Sequence, residues 1–155
     1  MLKGDEAVNI AYFLIPKSSV AYLFDDYTFR QGLEKMRPHG YTAIPVIDRE
    51  GIYRGIVSEG DFLWQMLDEK DDEASFSMRD MERLKVKDLL KKNHPPVPIT
   101  VSMDDLVHSA MSQNFVPVVD DEYRFIGIIT RKDIIRYLAE KDEVFFVNSG
   151  ERTVS

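Results

Sequence analysis

An internal duplication constrains this chain more than any other feature of its sequence. The stretch Gly40-Tyr41-Thr42-Ala43-Ile44-Pro45-Val46-Ile47-Asp48, followed by Tyr53-Arg54-Gly55-Ile56-Val57-Ser58-Glu59-Gly60-Asp61, reads like Asn114-Phe115-Val116-Pro117-Val118-Val119-Asp120 followed by Phe125-Ile126-Gly127-Ile128-Ile129-Thr130-Arg131-Lys132-Asp133. From Pro45 against Pro117 to Asp61 against Asp133 the copies align without a gap. A repeat of this kind means one supersecondary unit used twice, each copy needing the other to cover its apolar face. Each copy has a β-branched run, a polar turn (48–51 and 120–122), a second β-branched run and a helical pattern, which is a hairpin feeding a helix. Upstream lies a further strand and helix: 20–24 and about 28–37 in the first copy, 97–101 and a helix beginning near 103–105 in the second. The expected unit is therefore β-α-β-β-α in tandem, an α/β (α+β) fold.

The spacing predicts a lead-in helix at about residues 6–15, stopped by Pro16, and another at 81–92 opening the second copy. The boundaries expected are 8–67 for the first repeat, 68–80 for an acidic linker, 81–141 for the second repeat and 142–155 for a tail without clear period. At 155 residues and 44% hydrophobic, the chain suits one compact unit or two half-domains sharing a core. A net charge of −7 argues against a nucleic-acid partner, because phosphate neutralisation needs a basic face. No run of about 18 apolar residues offers a membrane span, and Met1 to Glu6 lacks the start of a secretion signal, so a cytoplasmic protein with no membrane partner is expected. Cysteine is absent, and His39, His94 and His108 are isolated, so no metal site is expected. No nucleophile elbow, phosphate loop or dinucleotide fingerprint is present, so the expectation is no catalytic residue, no cofactor and no enzyme.

The pattern "PVID" or "PVVD", a turn, then "GIVSEGD" or "GIITRKD" resembles the cystathionine-β-synthase-type (CBS) repeat, and two copies resemble a CBS pair, or Bateman module, over roughly residues 8–141. The resemblance implies a pseudo-two-fold disc that dimerises through its helices and binds adenosine-containing ligands in clefts between the repeats. With nothing else attached, such a pair would act as a free-standing sensor upon a separate protein partner. Within the family, "VAYLF" from Val20, "GYTAIPVID" from Gly40 and "ITRKD" from Ile129 resemble the stand-alone cyclic di-AMP-binding CBS proteins of Gram-positive bacteria. Cyclic di-AMP is then the first ligand expected, AMP, ADP or ATP the alternative, and a ligand-free interaction scaffold the third reading. The resemblance implies base-contacting strand edges at Val20, Ala21, Tyr41, Thr42, Ala43 and Ile44, phosphate contacts at Thr130, Arg131 and Lys132, and a ribose contact at Asp133. A possible second site would use Ser58, Asp61, Val97, Phe115 and Val116.

These residue types suit such a ligand. Thr130 to Asp133 lies where a strand gives way to a helix, so unpaired N–H groups and the positive helix end point out of the turn. Arg131 and Lys132 add a donor fork and a mobile charge. The first-repeat counterpart, Ser58-Glu59-Gly60-Asp61, puts a carboxylate and a glycine there instead, and a phosphate beside Glu59 would face repulsion of about 1 kcal/mol or more. One anion site, at the second repeat's turn, is expected. Thr-x-x-Asp and Ser-x-x-Asp are equally the signature of a helix N-cap, which alone would account for Ser58, Asp61, Thr130 and Asp133, while Arg131 and Lys132 would then be surface charges. Tyr41 would either stack on a base or fill the core between the repeats. Two departures stand out. Counted from Val97 to Pro117 against Val20 to Pro45, the second repeat is about five residues shorter, so its first helix should lose about a turn. Ser18-Ser19 stands where some of the cyclic di-AMP binders carry a lysine, with Lys17 as the nearest substitute.

Overall fold

The computed structural model describes residues 10–37, 42–68, 76–90 and 94–149. The first repeat builds a three-stranded sheet of order β2 (Leu23–Phe24), β3 (Ala43–Ile47), β4 (Tyr53–Ser58), with α1 (Phe29–Met36) and α2 (Glu59–Asp68). After α3 (Met78–Arg83) the second repeat supplies β5 (Val97–Pro98), α4 (Met103–Ala110), β6 (Phe115–Val119), β7 (Phe125–Thr130) and α5 (Arg131–Ser149). Its sheet has four strands, because β1 (Ile15–Pro16) joins the edge of β7. The fold class expected from the duplication is the one observed.

Each repeat pairs its first strand parallel to the second and its second antiparallel to the third, and both hairpins carry an irregularity at the same place, after Val46 and after Val118. The bends are matched by glycines with positive φ, Gly55 at 150° and Gly127 at 158°. The hairpin turns close in the same way. Asp48 and Asp120 each accept from two backbone N–H groups of their own turn at 2.8–3.0 Å. The Asp120 carboxyl consequently lies below the usual carboxylate range, chiefly through the Arg124 N–H it accepts.

Thr28 caps α1 through a reciprocal box with Gln31, and Ser102 caps α4 by accepting from Asp105 N–H. Both helices have 8 residues, so the second repeat does not lose a helical turn. The register explains why. Leu23 lies opposite Val46, and Val97 opposite Val118, so Val97 corresponds to Leu23 and not to Val20. Counted that way the second repeat is shorter by two residues, taken from the α4–β6 connection (111–114) against the α1–β3 connection (37–42).

The lead-in segments differ from the helices that spacing predicts. Residues 6–9 and 91–92 of these two segments lie outside the described residues; Ile10–Tyr12 form a single 3-10 turn, and 81–90 resolves into the end of α3 and a 3-10 turn at Val86–Leu89. At the C-terminal end the expected tail is instead helical to Ser149, as the continuation of α5.

Packing reveals an exchange. Ile10, Phe13 and Leu14 join the core of the second repeat, around Leu106, Val116 and Ile129. Leu84, Val86 and Leu89 join the core of the first, around Leu23, Phe29 and Val57. Backbone hydrogen bonds secure the second of these, Phe29 N–H to Leu84 O and Val86 N–H to Tyr27 O, both 2.8 Å. A third cluster lies between the repeats, with Ile47, Tyr53, Ile56, Val119 and Phe125 buried. The two hairpins also touch directly, through Tyr53 N–H to Tyr123 O (3.0 Å) and Phe125 N–H to Gly51 O (2.9 Å). Each lead-in thus seals the opposite repeat, and the halves fold as one unit.

Candidate functional site

Both hairpins end at a strand-to-helix turn, and the two turns are built alike. Ser58 Oγ accepts from Asp61 N–H at 3.2 Å, and Thr130 Oγ1 accepts from Asp133 N–H at 3.1 Å. Glu59 N–H donates to Thr42 O and Arg131 N–H to Asn114 O, which ties each helix start to the strand beside it. The N-cap reading therefore holds at both places as geometry.

The carboxylates then part ways. Asp61 Oδ2 accepts from Ser58 N–H at 2.8 Å, completing a reciprocal capping box. Asp133 Oδ1 instead accepts from Arg136 at 3.1 Å, one turn into α5. Arg136 follows Asp133 at i,i+3, a spacing visible in sequence, yet sequence reasoning passed over it.

On one side of the inter-repeat seam, Val20, Ala21, Ala43 and Ile44 line a cavity of about 220 Å³, closed by Ile128 from β7 and Ile15 from β1. Four of the six strand-edge residues singled out from sequence are thus brought together. Thr42 is exposed and accepts from Glu59 N–H through its carbonyl, and Tyr41 lies outside the described residues. Thr130 stands two residues beyond Ile128 on the same strand, half-buried, with Lys132 exposed beyond it. Arg131 is used differently from what its sequence position implies. Its Nε donates to Ala110 O at 2.9 Å and its second guanidinium nitrogen to Met111 O at 3.4 Å, so it closes the C-terminal end of α4.

Across the seam, a second cavity of about 220 Å³ contains Ser58, Asp61 and Phe115 together with Ala43, His94 and Gln113. Val97 (5% exposed) and Val116 (0%) lie in the second repeat's core and do not line this cavity. The register shift accounts for Val97: with Val97 matched to Leu23, the residue matching Val20 is His94. Gln113 Oε1 is buried here without a hydrogen-bond partner. Sequence reasoning missed both residues, and anchoring the alignment on the buried strand positions would have found His94.

A larger cavity, about 480 Å³, adjoins the first along β1 and shares Ile15 with it. Its wall includes Tyr12, Phe13, Asp133, Arg136 and Tyr137. Asp133 therefore faces a chamber that no motif announced.

Set beside known proteins, residues 14–68 and 86–140 each match the family model of the CBS domain. Inosine-5'-monophosphate dehydrogenase of Bifidobacterium longum is 31% identical over 99 residues, 61% of this chain but only 16% of that enzyme, so the chain spans a small part of that relative. Among solved structures, CbpB in complex with c-di-AMP superposes with a TM-score of 0.80 at 22% identity, covering 92% of this chain and 91% of that one. CbpB of Listeria monocytogenes in complex with c-di-AMP gives 0.75 at 24% identity, over 88% and 99%. CBSX2 in complex with AMP gives 0.68 at 23%, over 86% and 98%. At these identities the likeness establishes the fold, a CBS pair.

Proposed function

We propose, from the premise that this chain belongs to the CBS domain family, that it is a non-catalytic cytoplasmic sensor binding an adenine nucleotide between its repeats. Cyclic di-AMP is the first choice of ligand. The observation that carries the reading is the two-sided cleft: strand edges Val20, Ala21, Ala43 and Ile44 of one repeat face Ile128 of the other, whose strand ends at Thr130, just ahead of Lys132 and Asp133 in the first turn of α5. An apolar slot for a base beside a helix start for a phosphate is what a nucleotide requires. Arg131 reaches such a phosphate only by releasing the carbonyls of Ala110 and Met111. The c-di-AMP complexes of the CbpB proteins support this choice. The AMP complex of CBSX2 supports a mononucleotide as the second reading.

The sensor would act on a separate protein as a homodimer. Leu63 and Ile135 hold equivalent positions on α2 and α5 and are each 58% exposed, and Trp64 (65%) lies beside Leu63. An apolar pair repeated by the pseudo-two-fold is a natural helix-to-helix contact between copies.

Thermal unfolding of the pure protein against cyclic di-AMP, cyclic di-GMP, AMP, ADP and ATP tests the assignment. A true ligand at a hundred times its dissociation constant should add about 2.7 kcal/mol, a shift of roughly 5–10 °C. A shift with cyclic di-AMP alone supports the first choice, a shift with AMP or ATP the second. No shift with any of them overturns the nucleotide reading.

A further inference from the structure

We infer that the edge of the first repeat where Lys17 and Lys35 both approach the Tyr22 ring docks an acidic segment of the partner protein, one that presents two carboxylates. This rests on the reading that the chain acts on a separate protein and requires no particular nucleotide. Charge is the first argument. Lys17 Nζ lies 5.3 Å and Lys35 Nζ 5.7 Å from the centroid of the ring, which keeps the two ammoniums within about 11 Å of each other. Among the described residues neither makes an ion pair. The neighbouring guanidiniums are matched instead, Arg49 by Asp26 through two bonds of 2.9 Å and Arg54 by Asp25 at 3.8 Å. Two like charges held at one ring repel each other, and an anion between them relieves the repulsion.

The platform beneath the charges is the second argument. Tyr22 and Phe24 pack edge to face with centroids 5.7 Å apart, and Phe24 and Tyr27 do the same at 5.6 Å. The Arg49 guanidinium lies 4.0 Å over Phe24, held there by Asp26. A Cβ at Gly51 would meet Lys17 Nζ at 3.7 Å, which sets this lysine beside the turn that carries Arg49. Cations placed by fixed rings lose less freedom on binding than free side chains do, and aromatic and arginine residues are common anchors of protein interfaces. The second repeat is an internal control. Its strands, helix and turn match Tyr22 to Pro96, Phe24 to Pro98, Lys35 to Ser109 and Arg49 to Asp121. One half folds with none of these side chains, so the fold does not require them.

The spacing suits a peptide. Acids two apart on an extended segment lie about 7 Å apart on one side, and acids three or four apart on a helix about 5–6 Å, both within the reach of the two lysines. A nucleic acid is held by a run of phosphate contacts, whereas two unpaired cations stand at this ring in a chain of net charge −7. None of these residues belongs to α2 or α5, so docking here does not compete for the helices proposed to join two copies. Lys17 is not part of the wall of the cavity around Val20 and Ala21, which leaves its ammonium to this edge.

The test is fluorescence anisotropy at low salt, with labelled hexaglutamate and a labelled oligothymidylate titrated with the unmodified protein, Lys17→Glu, Lys35→Glu and Arg79→Glu. Arg79 is exposed on α3 and controls for net charge alone. Hexaglutamate should bind the unmodified protein, and each lysine variant should weaken it by roughly tenfold, the worth of a hydrogen bond between charged groups. Arg79→Glu should change it by less than about twofold. Unfolding temperatures are taken alongside; Lys35 is exposed, so Lys35→Glu should fold and decides the matter if Lys17→Glu does not. Hexaglutamate that does not bind, or an equal loss in Arg79→Glu, overturns the inference. Tighter binding of oligothymidylate that Lys35→Glu abolishes also overturns it, since the edge would then serve a nucleic acid. Lysine-dependent peptide binding in a protein that no nucleotide stabilises would sink the nucleotide reading and keep this one.

Discussion

The turns at Ser58–Asp61 and Thr130–Asp133 hold the same place in their repeats and the same hydroxyl cap, but the first is closed upon itself and the second is open. In the first, Asp61 returns to Ser58 N–H, while Glu59 and Gly60 bring no cationic side chain. In the second, Asp133 turns outward to Arg136 and lines a chamber, with Lys132 exposed beside it. Duplication preserved the backbone, because the bend, the cap and the strand pairing are needed by either half to cover its core. The side chains that serve neither bend nor core were free to diverge, and there the two clefts acquire different chemistry.

The sharpest way to break the comparison lies in the paired glycines. A Cβ at Gly127 would meet Ile15 O at 2.2 Å, a backbone atom of the crossing strand, whereas at Gly55 it would meet only Leu90 Cδ2 at 3.1 Å. Gly127→Ala should therefore cost about 3 kcal/mol or more, by detaching β1, and Gly55→Ala about 1–2 kcal/mol, mostly from its positive φ. Urea denaturation of the two variants measures this, and equal losses would mean that β1 contributes little to the second repeat.

A smaller difference separates Tyr53 from its counterpart Phe125. The Tyr53 hydroxyl donates to His94 O at 2.6 Å, and burial holds its phenol well above the ordinary value. Tyr53→Phe should lose about 1 kcal/mol at neutral pH. Because the folded pKa is raised, the stabilisation is complete below the ordinary phenol value of about 10 and is lost as pH rises through the folded one. Denaturation midpoints taken from neutral pH upward should fall more steeply above about pH 10 in the unmodified protein than in Tyr53→Phe. Parallel curves would place the alkaline sensitivity elsewhere.

The smallest effect concerns the two acids themselves. Asp61→Ala removes half of a capping box and should cost about 1 kcal/mol. Asp133→Ala removes only an i,i+3 ion pair between a half-buried carboxylate and the exposed Arg136, and should cost a few tenths of a kcal/mol. Ligand affinity should show the opposite order, with Asp133→Ala the more damaging. If the two stability losses match, the distinction between a closed and an open cap is not energetic.

Much of the fold was legible in the chain. Alternating Val and Ile in Pro45–Ile47 and Pro117–Val119, the polar turns and the Gly55 and Gly127 pair disclosed both hairpins, and the hydroxyl-x-x-acid spacing marked where the following helices start. The first strands were drawn too long, at five residues against the two of Leu23–Phe24 and Val97–Pro98, because apolar composition persists where ladder pairing does not. The same overreach matched Val20 to Val97 and put a deletion into a helix that in fact keeps its 8 residues. Val20, Ala21, Ala43 and Ile44, singled out from the sequence as strand edges, line one cavity, whereas His94, Gln113 and Arg136 carried no motif to mark them.

By itself the sequence determined that the unit is used twice, where the two hairpins, their turns and the helices after them fall, and that only the second turn carries Arg131 and Lys132. These are local matters, since periodicity and capping are set by neighbours a few residues apart. Only the tertiary structure decided that each lead-in packs on the opposite repeat, that Arg131 is spent on the end of α4, and that Asp133 and Arg136 open onto a chamber behind β1. An apolar segment states that it must be buried but not against which partner, and a charged side chain does not state which of several acceptors within reach it will find. Those choices are settled by packing between residues far apart in the chain, where the pattern of any single segment is silent.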